Sequence, residues 1–377
     1  MKRLVFSATL FLLAAPAWAE APTPLDAPLT AGVVTMIAAA HSGPAVPGWP
    51  AGRPFHYRLY LPRDYDDHER KYPVMFIASP RGDATMGPLA ERLARDRWIV
   101  AMLVESRNGS NLWLANFIAA HDDVLRRVRV QPDMLFCTGV SGAAKVCSVY
   151  PEQRPGFRGV IAQAAGLWNP RMFADPAHGR LVVFGTFGAM DPNLRFARQI
   201  RAATPPGRGL VEVWDGGHSW APAAVLERAL DWVEDRVFLD ADYDPALADA
   251  YRWYFENRLA GVEHAGPEAE QALRADVLQD LPARWRLDLD ADTRERLAAA
   301  TRKVDGRERA ARASFQDALD AELRGRGRDL PDRIAAYEAV AADHPDTHYG
   351  ATAASRAQSL SWEIGRIPRR GRLDRGW

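Results

Sequence analysis

The chain has 377 residues, which is enough for one large domain or two ordinary ones. Its 48 lysine and arginine residues balance 48 aspartate and glutamate residues. This balance argues against a nucleic-acid partner, which needs a basic surface. No pair of cysteines or histidines has the spacing of metal ligands in a plausible setting, so we expect no metal site.

The N-terminus has the pattern of a secretory signal peptide. Lys2 and Arg3 precede an apolar run over residues 4–15, which closes on Ala-Trp-Ala at 17–19. A membrane anchor is the alternative, but this run is too short to span a bilayer. We therefore expect a signal peptide over 1–19, and a periplasmic or secreted protein with no membrane span after cleavage.

An N-terminal extension over 20–52 leads into residues 53–240, where apolar runs alternate with segments of helical period. That alternation predicts an α/β domain with a largely parallel sheet. The first strand alternates in polarity and is expected to be half exposed, whereas the later ones are continuous and expected to be covered on both faces. The predicted strands are 55–61, 74–79, 98–105, 134–139, 159–166, 181–188 and 210–216.

Beyond residue 240 the sequence has helical patterns without strand signals, so we predict a small all-helical domain over 241–377 with a basic tail. Residues 333–360 resemble one helix-turn-helix unit of a tetratricopeptide repeat. Three matching units at a fixed period are not found, so a plain helical bundle stays open as the alternative.

Two cysteines, Cys137 and Cys147, flank Ser141. If one ends a strand and the other lies inside the next helix, their Cα atoms would be beyond the roughly 7 Å that a disulfide can bridge. We therefore expect two buried free thiols, although an exported protein could form a disulfide.

Ser141 has the setting of a catalytic nucleophile. A predicted strand runs directly into Gly139-Val140-Ser141-Gly142-Ala143 and then into a helix, which is the strand-turn-helix context of a nucleophile elbow. The sequence reads G-x-S-x-A where G-x-S-x-G is common. A small turn serine without chemistry is the alternative interpretation.

A serine nucleophile needs a base and an acid that orients the base. Asp191 and His218 follow Ser141 in that order, each just past a predicted strand, where parallel sheets place their sites. His178 is the rival base, while Asp215 and Asp175 are weaker candidates for the acid.

The backbone N–H of Gly142 is expected to contact the oxyanion. A second donor should come from the loop at 79–83, where Pro80 has no N–H and Arg81 or Gly82 could donate. We assign Arg81. The predicted cleft is lined by Arg107 or Asn108, unless the latter only stabilises its loop through an Asx turn. Apolar walls are expected from three tryptophans, unless these belong to the core: Trp113, Trp168 and Trp220.

The segments FIASPRGD, VESRNGSNLW, VQPDMLFCTGVSGAAKVCSV, FGTFGAMDPN and WDGGHSWAP resemble, in order, secreted α/β-hydrolases of the polyhydroxybutyrate-depolymerase-like and feruloyl-esterase-like group. The resemblance covers about residues 55–238 and implies Ser141 as nucleophile, Asp191 as acid and His218 as base. Two departures are Ala143, where relatives usually keep glycine, and the loop at 78–80, which lacks their His-Gly pair.

We therefore expect an exported serine hydrolase that cleaves small-molecule or polymeric carboxylic esters without a cofactor. A serine peptidase of the same fold is the first alternative. The second is a catalytically inactive hydrolase-fold protein whose C-terminal helices bind a protein partner.

Overall fold

The computed structural model describes residues 24–366 except 26, 66–69, 240–243, 265–277, 302–305 and 325–328. The predicted signal peptide and the end of the basic tail lie outside these residues. Within the described part of the chain, no helix is long and apolar enough to cross a membrane.

In the described residues, eight strands form one sheet in the order β1-β2-β4-β3-β5-β6-β7-β8. The strands are β1 Val34–Ala39, β2 Phe55–Tyr60, β3 Tyr72–Ala78, β4 Ile99–Leu103, β5 Val130–Val140, β6 Phe157–Gln163, β7 Val182–Gly188 and β8 Gly209–Trp214. Strand β2 runs antiparallel to both β1 and β4, whereas all other neighbouring pairs are parallel.

Helices occupy the connections and the C-terminal third. They are α1 Ala90–Arg95, α2 Trp113–Arg127, α3 Gly142–Cys147, α4 Tyr150–Gln153, α5 Ala197–Ala203, α6 Ala223–Phe238, α7 Ala248–His264, α8 Leu281–Arg284, α9 Ala291–Thr301, α10 Gly306–Arg324, α11 Leu330–Asp343 and α12 His348–Arg366. A mostly parallel sheet flanked by helices and followed by helices alone confirms the predicted α/β-hydrolase fold with a helical C-terminal region.

The continuous apolar strands are buried because helices cover both faces of the sheet. Helices α2, α3 and α5 pack on one face, and α1, α6 and α7 on the other. Every residue of β3, β6 and β7 is buried. Continuous apolar runs of this kind are typical of strands covered on both sides.

Two features at the start of the sheet differ from expectation. Strand β1 lies within the predicted N-terminal extension, where no strand was expected. Strand β2 is almost wholly buried rather than half exposed. The second difference follows from the first, because β1 pairs with β2 and makes it an interior strand.

The C-terminal helices pack directly on the hydrolase core. Helix α7 contributes Tyr251, Tyr254 and Phe255 to the apolar cluster that covers the second face of the sheet. Helices α10 to α12 have a small cluster of their own around Tyr337 and Leu360.

Helix α12 lies along β8, the last strand of the sheet. The N–H of Val213 donates to Ser359 Oγ at 2.7 Å, and Arg356 Nη1 donates to the carbonyl of Val211 at 2.5 Å. The outer edge of β8 is therefore bonded by side chains of α12.

Candidate active site

Ser141 stands at a sharp turn between β5 and α3. Its φ of 59° and ψ of −129° place a non-glycine residue in a strained backbone region, which is typical of functional turns. The turn is anchored to the neighbouring strand β6, since the N–H of Ser141 donates to the carbonyl of Gln163 at 2.9 Å. The strand and helix thus hold the serine hydroxyl clear of the main chain.

The alanine at position 143 fits this turn because Gly139 has no side chain. A Cβ added to Gly139 would lie 2.9 Å from the carbonyl oxygen of Ala78 and 3.1 Å from the Ala143 methyl. Ala143 itself is buried. Alanine in place of the usual glycine at position 143 therefore causes no steric clash in the elbow.

The structure brings Ser141, His218 and Asp191 into one hydrogen-bonded row. Ser141 Oγ lies 2.9 Å from His218 Nε2, and His218 Nδ1 lies 2.9 Å from Asp191 Oδ1. Asp191 Oδ1 also accepts from the N–H of Asn193 at 2.7 Å. With the ring proton on Nδ1, the Asp191 carboxylate accepts from histidine and Nε2 is free to accept from the serine.

The three residues meet because the loops after β5, β7 and β8 share one edge of the sheet. The loops after β7 and β8 are also tied together, since the N–H of Met190 donates to the carbonyl of Gly216 at 2.8 Å. The Asp191 side chain is fully buried, whereas that of His218 is 38% exposed. The His218 imidazole is thus accessible to solvent, while the Asp191 carboxylate is shielded from water.

The rival residues lie outside this row. His178 ends a short 3-10 turn, and its backbone carbonyl accepts from Arg208. Asp175 caps that same turn by accepting from the N–H of Ala177. Asp191, rather than Asp215, is the carboxylate bonded to the histidine.

The expected second oxyanion donor is less well placed. The N–H of Arg81 points to Ser79 Oγ at 3.4 Å, and the N–H of Gly82 donates to the carbonyl of Ser79 at 3.1 Å. Gly82 has a φ of +77°, and an added Cβ would lie 2.3 Å from the carbonyl oxygen of Val104. The loop is therefore a tight turn in which the N–H groups of Arg81 and Gly82 point toward Ser79.

Asn108 approaches the elbow from the loop after β4. A Cβ added to Gly142 would lie 2.0 Å from Asn108 Oδ1 and 3.0 Å from Nδ2, so the amide rests on Gly142. The alternative of an Asx turn is not seen, because the Asn108 side chain has no hydrogen-bond partner within the described residues. Arg107 is exposed beside it and forms an isolated antiparallel bridge with Arg81.

The predicted tryptophans divide into core and surface. Trp220 and Trp113 are half-buried and pack against the two apolar clusters. Trp168 is 59% exposed and lies 6.1 Å, between ring centroids, from Trp113. Met190, which sequence reasoning missed, is 63% exposed directly before Asp191. Its place between a strand end and Asp191 was the available signal.

The loop after β4 is anchored by a buried network that the sequence did not reveal. His56 on β2 binds Glu105 twice, through its N–H at 2.9 Å and its Nδ1 at 2.8 Å. Asn116 on α2 bonds the N–H of Ser106 at 3.0 Å and the carbonyl of His56 at 2.8 Å.

The prediction of two free thiols is wrong, because Cys137 and Cys147 form a disulfide. Their Cα atoms are 5.6 Å apart, well within bridging range. The elbow turn folds α3 back over the end of β5, with Gly139 against Ala143, and this close approach was underestimated. The disulfide thus encloses the segment that carries Ser141.

No protein-family model matches the chain, and no curated protein matches it. Among solved structures it is similar to S-formylglutathione hydrolase (FrmB) from Staphylococcus aureus, with 14% identity and a TM-score of 0.39 over 54% of this chain and 98% of that one. A ferulic acid esterase shows 18% identity and a TM-score of 0.38 over 50% of this chain and 94% of that one.

Oligopeptidase B from Leishmania major shows 13% identity and a TM-score of 0.38 over 54% of this chain. The chain spans only 35% of the length of that peptidase. At these values, substrate and mechanism have to be inferred from the residues of this chain.

Proposed function

We propose that the protein is an exported serine hydrolase that cleaves carboxylic esters through an acyl-enzyme. One observation carries the proposal: Ser141, His218 and Asp191 form a continuous hydrogen-bonded row with both contacts at 2.9 Å. A serine held in a strained turn, a half-exposed imidazole and a buried carboxylate are the parts that nucleophilic acyl transfer requires.

In the proposed reaction, Ser141 Oγ bonds to the ester carbonyl carbon while its proton passes to His218 Nε2. The carbonyl π electrons move onto oxygen and create a tetrahedral oxyanion. When the oxyanion collapses, the C–O bond to the alcohol breaks and the alcohol takes the proton from Nε2. A water molecule then repeats the sequence and releases the acid.

Asp191 acts on the histidine rather than on the substrate. Its Oδ1 accepts the Nδ1 proton, which keeps Nε2 free to accept from serine and stabilises the imidazolium that forms. Its own position is fixed by the N–H of Asn193.

We expect an open cleft at Ser141, which favours a short or bulky ester, or the end of a polymer chain. The connection between Asp191 and His218 holds only a 3-10 turn, the short helix α5 and β8 within the described residues, so it carries no lid there. Trp168 and Met190 are large exposed apolar side chains that follow β6 and β7. They offer an apolar surface for the acyl or alcohol group.

Export is supported by the disulfide. Cys137 and Cys147 are bonded, and such bonds persist mainly in oxidising compartments such as the periplasm or the extracellular space. The signal-like segment over 1–19 is the second support.

The proposal is tested with p-nitrophenyl acetate and a fluorophosphonate probe. We expect the wild type to hydrolyse the ester and to be labelled, and Ser141→Ala to lose labelling and at least about 10³-fold in kcat. Asp191→Asn should lower kcat by about 10⁴-fold, because its amide favours the wrong histidine tautomer. Ser355→Ala, on the solvent side of α12, is the matched control and should behave as wild type.

Other outcomes would redirect the assignment. Turnover of aminoacyl-p-nitroanilides without any ester hydrolysis would indicate a peptidase. A folded wild type that neither turns over these substrates nor reacts with the probe would contradict a hydrolase, and would favour a scaffold that binds a protein partner through its C-terminal helices.

A further inference from the structure

The oxyanion of the proposed reaction needs at least one donor besides the N–H of Gly142. Pro80 has no N–H, and the N–H of Gly82 already donates to Ser79 at 3.1 Å. The N–H of Arg81 is turned toward Ser79 Oγ. The loop expected to complete the oxyanion hole therefore directs its donors into its own turn.

A different donor lies against the elbow. The carboxamide of Asn108 touches Gly142, where a Cβ would come within 3.0 Å of every terminal atom of that side chain. The amide is exposed, and neither its oxygen nor its nitrogen is bonded to a described residue. An amide group with two free N–H bonds thus sits directly beside the residue that follows the nucleophile.

We propose that the Asn108 side-chain amide is the second oxyanion donor of this site. The inference rests on the proposed function, since it concerns the charge that develops during acyl transfer. Asn108 Nδ2 would donate to the carbonyl oxygen of the substrate together with the N–H of Gly142. The amide of asparagine can present its nitrogen by a half-turn about its last side-chain bond.

The backbone that carries Asn108 is held firmly, as a preorganised donor requires. The N–H of Asn108 donates to the carbonyl of Pro80 at 2.9 Å, which joins the two loops beside the elbow. Upstream, Glu105 is bound to His56, and Ser106 is bound to Asn116. These contacts fix the loop at Asn108 and over the residues just before it.

The same contact explains why position 142 is glycine. Its φ does not lie in the left-handed region, so backbone conformation alone does not require glycine there. A Cβ at this position would overlap Asn108 Oδ1, with only 2.0 Å between them. The space above Gly142 is occupied by the amide.

The experiment compares Asn108→Ala and Asn108→Asp with Asn111→Ala. Asn111 is an exposed asparagine in the same loop, and its Nδ2 donates to Pro47, away from the elbow. We expect Asn108→Ala to lower kcat for p-nitrophenyl acetate by about 10²- to 10³-fold with little change in KM. Asn108→Asp should lose at least as much, because a carboxylate repels the oxyanion.

A transition-state analogue separates this role from a structural one. A trifluoromethyl ketone, whose adduct with Ser141 carries an oxyanion, should bind the Asn108 variants more weakly by a factor that follows the loss in kcat/KM. Their melting temperatures should stay within a few degrees of wild type, and Asn111→Ala should match wild type in all three measurements.

Three results would overturn the inference. The first is kcat for Asn108→Ala within about threefold of wild type, with the Ser141→Ala loss intact, which leaves the proposed hydrolase standing. The second is a lower kcat with unchanged affinity for the ketone. The third is a wild type without esterase activity or probe labelling, which removes the proposed function as well.

Discussion

Two buried glutamates join the C-terminal helices to the hydrolase core, and their pKa values are shifted in opposite directions. Glu322 on α10 and Glu234 on α6 are equally inaccessible, at 1% and 2% exposure. Burial opposes ionisation of Glu322, but its arginine neighbours outweigh this and lower its pKa to about 2. Burial dominates at Glu234 and raises its pKa to about 7.

The difference lies in the number of donors around each carboxylate. Glu322 accepts from Arg356 through both oxygens, from Arg201 at 2.9 Å and from the hydroxyl of Tyr337 at 2.9 Å. Arg201 also binds Glu363, so two arginines face two glutamates. Each charge in this cluster is therefore compensated.

Glu234 lies among more acids than bases. Its Oε2 contacts Arg92 and Arg258 at 3.1 Å each, while its Oε1 is buried without a hydrogen-bond partner in the described structure. Both arginines also bind Asp231, and Asp96 shares Arg92. Equal burial therefore gives opposite pKa directions, because the surrounding charges and hydrogen-bond donors decide which form is stable.

The largest expected effect is the loss of charge at Glu322. Glu322→Gln leaves Arg201 and Arg356 with one carboxylate, so the free energy of unfolding at pH 7.5 should fall by about 3–5 kcal/mol. Glu234→Gln is the matched control and should not lower it, because the raised pKa of Glu234 means that a neutral side chain is tolerated there, and Asp96, Asp231 and Asp235 still face its two arginines. Urea unfolding measures both. Equal losses in the two variants would show that burial alone sets the cost.

The pH dependence of stability should separate the two carboxyls. The Glu322 carboxylate makes its full contribution to the free energy of unfolding above its ordinary pKa of 4.5. This contribution is lost as pH falls toward 2. Glu234 has the opposite sign, since its raised pKa gives stability that is complete below 4.5 and lost as pH rises through 7. Urea unfolding between pH 3 and 8 measures this dependence. In each glutamine variant, the free energy of unfolding should stop changing with pH only in the range given above for the glutamate that was replaced.

A smaller effect is expected from the neutral contact beside the Glu322 cluster. Ser359→Ala removes the acceptor for the N–H of Val213, and an unpaired buried donor costs about 1–3 kcal/mol. Ser355→Ala, one turn earlier on the solvent side of α12, should leave the free energy of unfolding unchanged in the same urea titration. If Ser359→Ala also leaves the free energy of unfolding unchanged, the contact between Ser359 and Val213 does not help to attach α12 to β8.

The sequence predicted the parts of the site that depend on strand ends. Ser141, Asp191 and His218 each follow an apolar run, and parallel strands bring such positions to one edge. The contact between Asn108 and Gly142 could not be predicted in this way, because it joins two irregular loops. The disulfide was missed for a similar reason, since the distance between Cys137 and Cys147 depends on the angle of one turn.

Buried charge was also beyond sequence reasoning. Glu322, Arg356 and Arg201 lie on helices whose composition is that of ordinary solvated surfaces, and only their pairing across three helices makes burial tolerable. Strand β1 was missed because two of its apolar residues, Val34 and Met36, remain exposed at the sheet edge.

The packing of α12 on β8 has a consequence for solubility. A strand at the end of a sheet offers unpaired N–H and C=O groups, which can template aggregation with another chain. Here the side chains of Ser359 and Arg356 bind the Val213 N–H and the Val211 carbonyl, as a further strand would. Helix α12 therefore covers this edge of the sheet, and a hydrolase domain without α12 would expose the unpaired backbone groups of β8.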